Sequence, residues 1–257
     1  MRQGNAYIVG FAAVVCVVCS LLLSAVSGAL SAKQEQNRVL DRQKNVLMAA
    51  GFESSKLAAM SADEVQRTYQ SRIEELVIDR SGNRLDGITQ AQLDSKEATL
   101  ETPSDRLPLF AVKAEGTANE VMAYIYPVIG KGLWSTLYGY LAVKPTGNEI
   151  IGVAFYKHAE TPGLGAEIER EWFTSNFKGK QLYASGKLVG VEVVKGKVAD
   201  KTGIRAEHAV DGISGATLTG NGVTKLMKVV PAMYQPFFQR QGSRQASLVV
   251  PAAEALR

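Results

Sequence analysis

Residues 135–157, STLYGYLAVKPTGNEIIGVAFYK, give the clearest indication of the fold class of this chain. This stretch contains two runs rich in aliphatic and aromatic residues, separated by a short segment with proline, glycine and asparagine. Runs of this kind around turn residues are typical of successive β-strands. The same reasoning predicts strands at residues 73–79, 107–113, 121–129, 135–144, 150–157 and 188–194.

Helical spacing of apolar residues predicts α-helices beside these strands. Gly51 follows the helix predicted at residues 33–50, in the position of a C′ glycine. Ser61, with Glu64 three residues later, is the pattern of a capping box at the start of a further helix. The last helix contains Pro231, where we expect it to be interrupted or kinked. Besides the helix that Ser61 opens, the predicted helices are residues 33–50, 167–177 and 219 to about 238.

The order of these elements predicts an α+β fold: a single N-terminal transmembrane helix, then a domain on a largely antiparallel sheet with flanking helices. The polar segment 84–105 is expected to be a surface excursion. The expected division of the chain is an anchor at 1–32, a connecting α/β region at 33–106, the main domain at 107–240 and a loose C-terminal tail at 241–257.

Residues 7–30 form an apolar run without a single charged side chain. The run is longer than the about 20 residues that a helix needs to cross a bilayer. The alternative is a cleaved signal peptide, whose apolar region is typically about 7–15 residues long. We therefore predict an uncleaved membrane anchor. The basic residues that follow the run would, by the positive-inside rule taken alone, leave the large domain in the cytoplasm.

Composition excludes several classes of site. Cys16 and Cys19 both lie inside the apolar run, so the rest of the chain has no disulfide, zinc–thiolate site or iron–sulfur cluster of its own. His158 and His208 are the only histidines, too few for a His-rich metal site. A Walker loop, a GxGxxG motif and a nucleophile elbow are all absent from the sequence. The net charge of +4 is spread thinly and does not indicate nucleic acid as a partner.

The segment DGISGATLTG, residues 211–220, is the most informative candidate for a site. Ser214, Gly215 and Ala216 are small enough for the backbone to approach an anion closely. The start of the following helix adds unpaired N–H groups and the positive end of the helix dipole. A phosphate held there would lie beside the hydroxyl of Thr217. The alternative is that these hydroxyl residues only cap the helix.

Two further segments carry residues suited to a flat ligand. In HAETPGLG, residues 158–165, Pro162 and Gly163 force a tight turn, and Gly165 leaves room for a flat group. Glu160 and Thr161 are placed to hydrogen-bond a polar ring edge. This segment can equally be an ordinary connection from a strand to a helix.

The third segment, GKGLWS at residues 130–135, carries Trp134 on a glycine-rich loop. A tryptophan there either stacks on an aromatic ligand or plugs the core.

The order of GLW, ETPGLG and DGISGAT behind one apolar span resembles the FMN-binding domain family whose members carry flavin covalently. The resemblance covers essentially the whole chain, and the last motif is its most specific part. It implies that a flavin transferase, with FAD as donor and Mg²⁺, joins the phosphate of FMN to the hydroxyl of Thr217. Asp211 and Ser214 match positions that the transferase recognises. The residues then expected to contact FMN are Thr217, Ser214, Gly215, Ala216, Trp134, Glu160, Thr161, Gly163, Leu164 and Gly165, of which Trp134, Thr161 and Leu164 line the ring.

The length and layout are similar to those of family members in the Na⁺-translocating NADH:quinone reductases. The resemblance implies an electron-carrying subunit that works between iron–sulfur and flavin centres, completes no reaction alone, and has the other subunits and membrane lipid as partners. It also implies the bacterial inner membrane, with the flavin domain on the periplasmic side. Two alternatives remain: the flavin subunit of the related ferredoxin:NAD⁺ oxidoreductase, typically a shorter chain, and a membrane-anchored binding protein without a redox role.

Overall fold

A computed structural model describes residues 4–90, 93, 105–116, 120–203 and 205–249. The chain divides into two units, Met1–Arg42 and Gln43–Arg257. Helix α1 spans Asn5–Ala49, so the separate helix expected at 33–50 continues the apolar helix without a break. Within α1, residues Tyr7–Ser31 are long and apolar enough to cross a membrane by length and composition. The structure thus contains the expected N-terminal apolar helix.

The end of α1 confirms the role predicted for Gly51. Gly51 has a φ of +98°, in the left-handed region that glycine adopts without strain. Its N–H bonds the carbonyl of Met48, and the N–H of Phe52 bonds the carbonyl of Leu47. This pair of bonds is the Schellman motif that closes a helix. The chain then forms α2 (Ser54–Ala59) and α3 (Ala62–Arg72).

Ser61 and Glu64 form the predicted capping box at the start of α3. The Ser61 hydroxyl accepts the N–H of Glu64, and the Glu64 carboxylate accepts the N–H of Ser61 at 2.8 Å. The two residues therefore satisfy two N–H groups that the helix itself leaves unpaired.

The core of the second unit is a five-stranded antiparallel sheet in the order β1-β2-β3-β4-β5. The strands confirm the predicted antiparallel sheet, and two of them have the predicted bounds. Because β1 pairs with β2, the sheet crosses the boundary that we expected between a connecting region and a main domain at residues 106 and 107. The strands are β1 Ile73–Asp79, β2 Arg106–Lys113, β3 Val121–Lys131, β4 Thr136–Val143 and β5 Ile150–Lys157.

Side chains alternate between the two faces of this sheet, and helices cover both faces. On one face, Tyr126 stacks on Tyr234 of the last helix with ring centroids 4.2 Å apart. On the other face, α3 packs against β1 and β2, and the carbonyl of Ala49 lies against Gly152 of β5. Both faces are buried, which explains why the strands are so consistently apolar.

The helix expected at 167–177 is broken into three short pieces, so that prediction is wrong. The pieces are a 3₁₀ turn (Gly165–Glu169), helix α4 (Glu171–Thr174) and a second 3₁₀ turn (Ser175–Phe177). Arg170, whose backbone is extended, separates the first turn from α4, and the second turn follows α4 directly. Ile168, Phe173 and Phe177 are all buried. Their spacing of five and four residues does not fit one face of a straight helix, and the break lets all three enter the core.

The prediction of a single strand at 188–194 is also wrong. Two-residue strands replace it: β6 (Tyr183–Ala184) pairs with β7 (Lys187–Leu188), and β8 (Glu192–Val193) pairs in parallel with β9 (Ala209–Val210). Gly190 lies between β7 and β8 with a φ of +72°. A Cβ there would lie 2.6 Å from the carbonyl oxygen of Met227. The left-handed backbone and this close approach together explain why the residue between the two short strands is a glycine.

Helix α5 spans Thr217–Val249, so it begins two residues before the predicted start and ends later than expected. Pro231 and Pro236 both lie inside it. Residues 241–249, which we expected to belong to a loose tail, are helical, and residues 250–257 lie outside the described part of the chain. α5 packs against β3 and β8.

Part of the segment expected to be a surface excursion is tied to the sheet. Gln90 is buried, and its side-chain amide donates to the carbonyls of Leu76 and Leu109 at 3.1 and 3.0 Å. The side chain of Gln90 therefore connects the polar segment to both β1 and β2. Residues 91–92 and 94–104 of the same segment lie outside the described residues.

Gly152→Ala is expected to destabilise the second unit by about 1–3 kcal/mol, because the new methyl group overpacks a backbone contact. A Cβ at Gly152 would lie 2.6 Å from the carbonyl oxygen of Ala49. The measurement is urea unfolding of the full chain in detergent. Gly242→Ala is the control, because a Cβ at Gly242 meets nothing within 4 Å. Equal midpoints for Gly152→Ala and the parent protein would contradict the close contact.

Candidate functional site

Thr217 is the first residue of α5 and is exposed. The turn before it is closed by the N–H of Ala216, which bonds the carbonyl of Ile213, and Gly215 adopts a φ of +73°. The first N–H groups of an α-helix have no partner within the helix, and the first turn of α5 holds no acidic residue. The Thr217 hydroxyl therefore lies at the positive end of a long helix.

An open depression of about 900 Å³ adjoins Thr217. Exposed lysines at 195, 197 and 201 give its wall a positive charge. Together with the helix start, these lysines favour an anion beside the Thr217 hydroxyl. The described residues that line the depression are Trp172, Asn176, Lys195, Gly196, Lys197, Lys201, Asp211, Gly212, Ile213, Ser214, Gly215 and Thr217.

Asp211 connects this motif to the lysine-bearing loop. Its carboxylate accepts the N–H of Val198 at 2.7 Å, and the N–H of Gly212 bonds the carbonyl of Gly196 at 2.8 Å. These two bonds hold the loop against the motif, so one oxygen of Asp211 has a structural partner in the folded chain.

The turn at 161–165 lies directly against the motif that carries Thr217. The carbonyl of Thr161 accepts the N–H groups of Leu164 and Ala166, and Gly163 has a φ of +74°. A Cβ built on Gly215 would lie 2.8 Å from a methyl carbon of Leu164. Thr161 and Leu164 are both exposed. The structure therefore brings together two of the segments that the sequence singled out.

Glu160 joins all three segments from beneath. Its side chain is buried, with 5% of the residue surface exposed. One carboxylate oxygen accepts the N–H groups of Trp134 and Ser135 at 2.9 and 3.1 Å. The other accepts the N–H of Leu133 at 3.3 Å and the hydroxyl of Thr219 at 2.7 Å. The structure thus gives Glu160 protein partners in place of the polar ring edge that we expected.

The pKa of Glu160 results from two opposing effects. Burial disfavours the charged carboxylate and by itself raises the pKa. The hydrogen bonds from the Thr219 hydroxyl and from the backbone of the 133–135 loop favour the charged form and outweigh burial. The pKa therefore lies below the ordinary value of a glutamate, and the side chain is a carboxylate at neutral pH.

Trp134 does not plug the core. It is 70% exposed, although its backbone N–H is bonded to Glu160. The neighbouring Ser135 hydroxyl accepts the N–H of Ala159 at 2.6 Å, which ties the loop to the end of β5. The ring of Trp134 therefore projects from a firmly bonded loop, as stacking on a ligand requires.

The space beside Gly165 is occupied by other side chains of the protein. Gly165 is buried, and a Cβ there would lie 2.6 Å from the hydroxyl oxygen of Thr219 and 2.9 Å from a carboxylate oxygen of Glu160. The space that we expected to admit a flat ligand is taken by this pair of side chains.

The predicted site did not include the basic loop that carries Lys195, Lys197 and Lys201, or Trp172 on the wall of the depression. Lys195, Lys197 and Lys201 are close in the sequence, and their spacing just ahead of the 211–217 motif was an available signal. Trp172 is 49% exposed and donates its indole N–H to Glu167 at 3.1 Å. Trp172 lines the same depression as Thr217, although 45 residues separate them in the sequence.

Comparison with known proteins first defines the class: residues 132–230 match the FMN-binding domain family. The matched region includes residues 132–135 of the Trp134 loop and the whole of the segments at 158–165 and 211–220. The NqrC subunit of the Na⁺-translocating NADH-quinone reductase from Pseudomonas aeruginosa is 37% identical over 84% of this chain and 87% of its own length. The corresponding subunit from Yersinia pestis is 35% identical over 82% of each chain.

Solved structures agree with this assignment. Crystal structures of the same subunit from Parabacteroides distasonis and Shewanella oneidensis are each 30% identical to this chain, with TM-scores of 0.68 and 0.69. They cover 81% and 82% of this chain, and 96% and 99% of their own. The chain belongs to the NqrC family of the Na⁺-translocating NADH-quinone reductases. The antiparallel α+β fold with an N-terminal apolar helix is that expected of the family.

The low pKa of Glu160 predicts an acid-sensitive contribution to stability. Because the folded pKa lies below the unfolded one, the contribution is present above about pH 4.3, the ordinary glutamate value, and is lost as the pH falls through the folded value. Glu160→Gln should lower the free energy of unfolding at neutral pH by about 1–3 kcal/mol. The difference from the parent protein should shrink in acid, as measured by urea unfolding of the full chain in detergent.

The control for this measurement is Glu171→Gln, which alters an exposed carboxylate in α4 and should leave the pH profile unchanged. A difference between the parent protein and Glu160→Gln that stays constant from neutral pH to about pH 3 would contradict the prediction.

Proposed function

We propose that this chain is the electron-carrying subunit of a Na⁺-pumping NADH:ubiquinone reductase and holds FMN through a phosphoester to Thr217. It passes electrons between iron–sulfur and flavin centres of the other subunits. The single observation that supports the proposal is the difference in exposure between Thr217 and Thr219, two threonines of one motif. Thr217 is exposed beside a basic depression, whereas Thr219 is 1% exposed and donates its hydroxyl to Glu160.

Attachment is a phosphoryl transfer to the Thr217 hydroxyl. The oxygen of Thr217 forms a bond to the phosphorus of the FMN half of FAD, and the diphosphate bond breaks with AMP as the leaving group. The hydroxyl proton is released in the same reaction. A flavin transferase with Mg²⁺ catalyses the step and recognises Asp211 and Ser214. Ser214 is exposed, which supports access for an enzyme of this kind.

The residues around Thr217 fit the phosphate of FMN. The start of α5 supplies N–H groups, and Lys195, Lys197 and Lys201 supply positive charge. Ser214, Gly215 and Ala216 let the phosphate approach the backbone. A phosphoester held there keeps one negative charge, which these groups stabilise.

The flavin ring is proposed to lie against Trp134, Thr161 and Leu164. All three are exposed, and the Leu164 side chain lies against Gly215 of the attachment motif. When bound, FMN supplies the redox chemistry, while the chain holds the ring and determines its surroundings. A covalent link suits a carrier, because the protein then retains the cofactor in every redox state without needing high affinity for each.

We further propose that residues 7–31 anchor the chain in the bacterial inner membrane, in contact with lipid and with the other subunits of the complex. The length and apolar composition of this helix support an anchor. The flavin-binding domain lies on the periplasmic side, where the transferase works. The basic residues at 33–44 favour the opposite orientation by the charge rule, but the short N-terminal segment offers that rule little to compare.

The test is attachment of flavin to the full chain co-expressed with a flavin transferase. After denaturing electrophoresis the parent protein should show a fluorescent band under ultraviolet light, and Thr217→Ala should show none. Thr219→Ser is the matched control, because it keeps the buried hydroxyl and should keep the band. Mass spectrometry of the peptide with both threonines should place one FMN on Thr217.

Mature parent protein that is colourless after unfolding and desalting would refute the covalent carrier. A fluorescent band retained in Thr217→Ala would refute the attachment residue alone.

A further inference from the structure

Two polar side chains that are buried in the described part of the chain are bonded to each other. They are Glu160 and Thr219, with 5% and 1% of their surfaces exposed. A buried carboxylate is expensive to desolvate unless it is well bonded. The partners of Glu160 among the described residues are neutral N–H and O–H donors from two distant segments. Such a side chain acts as a clamp between the segments that supply the donors.

The donors have a geometry suited to an anion. Leu133, Trp134 and Ser135 are consecutive, and all three backbone N–H groups point at the one carboxylate at 2.9–3.3 Å. The N–H of Gly132 bonds the carbonyl of Ser135 at 2.8 Å, which closes the turn around it. Successive N–H groups of this kind form a concave anion-binding nest. In this protein the anion is a side chain of the neighbouring loop.

The fourth donor connects the nest to the attachment helix. The hydroxyl of Thr219 bonds Glu160 at 2.7 Å, and Thr219 is two residues from Thr217 on α5. The loop that presents Trp134 and the helix start that presents Thr217 are thus joined through one carboxylate. A direct backbone approach supports the joint, since a Cβ at Gly222 would lie 2.5 Å from the carbonyl oxygen of Lys131.

Two motif glycines make room for this clamp. A Cβ at Gly132 would lie 2.6 Å from a carboxylate oxygen of Glu160, and a Cβ at Gly165 would lie 2.6 Å from the Thr219 hydroxyl. Neither glycine has the left-handed backbone that would require glycine for conformational reasons. Their small size therefore serves the close approach of the Glu160–Thr219 pair.

We propose that Glu160 and Thr219 are positioning residues that hold the Trp134 loop in one place relative to Thr217 and thereby determine the surroundings of the flavin ring. The clamp exists in the unmodified chain, and its effect on the flavin rests on the proposed function. Neither residue takes part in phosphoryl transfer. Since a flavin gains negative charge on reduction, the fixed carboxylate beneath Trp134 also lowers the reduction potential.

The clamp is tested first without flavin, in full chain produced without the transferase. The sequence contains two tryptophans, so Trp172→Phe leaves Trp134 as the only one. In that background, Glu160→Gln should lower the fluorescence anisotropy of Trp134, because the amide offers the loop N–H groups one neutral acceptor oxygen in place of two charged ones. Thr219→Val should lower it less, and Thr219→Ser should restore the parent value. Glu171→Gln, an exposed carboxylate of α4, is the matched control and should change nothing.

The same variants, with Trp172 intact, are then matured with the transferase. All should keep a fluorescent band after denaturing electrophoresis. In the folded protein, Glu160→Gln should have brighter flavin emission, because Trp134 quenches less, and a more positive midpoint potential. Thr219→Val should brighten the emission but leave the potential near that of the parent protein, since the carboxylate remains charged.

The proposal is overturned if Trp134 anisotropy, flavin emission and midpoint potential of folded Glu160→Gln all match those of Glu171→Gln. If Glu160→Gln does not fold, Thr219→Val decides: parent-like anisotropy overturns the clamp, and lowered anisotropy restored by Thr219→Ser supports it. A parent protein without a fluorescent band refutes covalent attachment. The anisotropy measurements on unmodified chain still decide for or against the clamp in that case.

Discussion

The carboxylate of Glu160 is the constraint on which the site depends. It is bonded to Trp134, 26 residues earlier, and to Thr219, 59 residues later. Burial of a charged group is tolerated because four hydrogen-bond donors, three from the loop and one from α5, are aimed at its oxygens. The loop, the turn at 161–165 and the helix start are consequently parts of one bonded structure, and the exposed residues on them have defined relative positions.

The sheet and α5 provide the rigid support for this arrangement. Strand β3 ends at the loop that carries Trp134, β4 begins after that loop, and β5 ends at the loop that carries Glu160. Helix α5 extends from Thr217 along the core, where Tyr234 stacks on Tyr126. A hydroxyl at the first residue of a long, packed helix is held in place by the whole helix but stays open to solvent. The proposed attachment of FMN needs both properties, because a modifying enzyme would have to reach the hydroxyl and the attached group would then have to be held.

Much of the fold was predictable, because antiparallel strands covered on both faces are recognisable as apolar runs. The bounds of β1 and β5, the capping box at Ser61 and the C′ glycine at 51 all rest on interactions between residues close in sequence. The predictions failed at 167–177 and 188–194. There, buried Phe173 and Phe177 and the contact of Gly190 with Met227 override local preference, and these tertiary contacts have no local signal.

The apolar helix, the order of strands and the three motifs whose resemblance pointed to FMN can all be recognised in the sequence, because they depend on local composition and spacing. Which residues of the motifs face solvent depends on the folded chain. Thr217 and Thr219 are alike in the sequence, yet one is exposed and the other is buried against Glu160. Gly165 likewise looked like space for a ligand and proved to be space for this pair. Burial depends on partners far along the chain, and no local pattern encodes them.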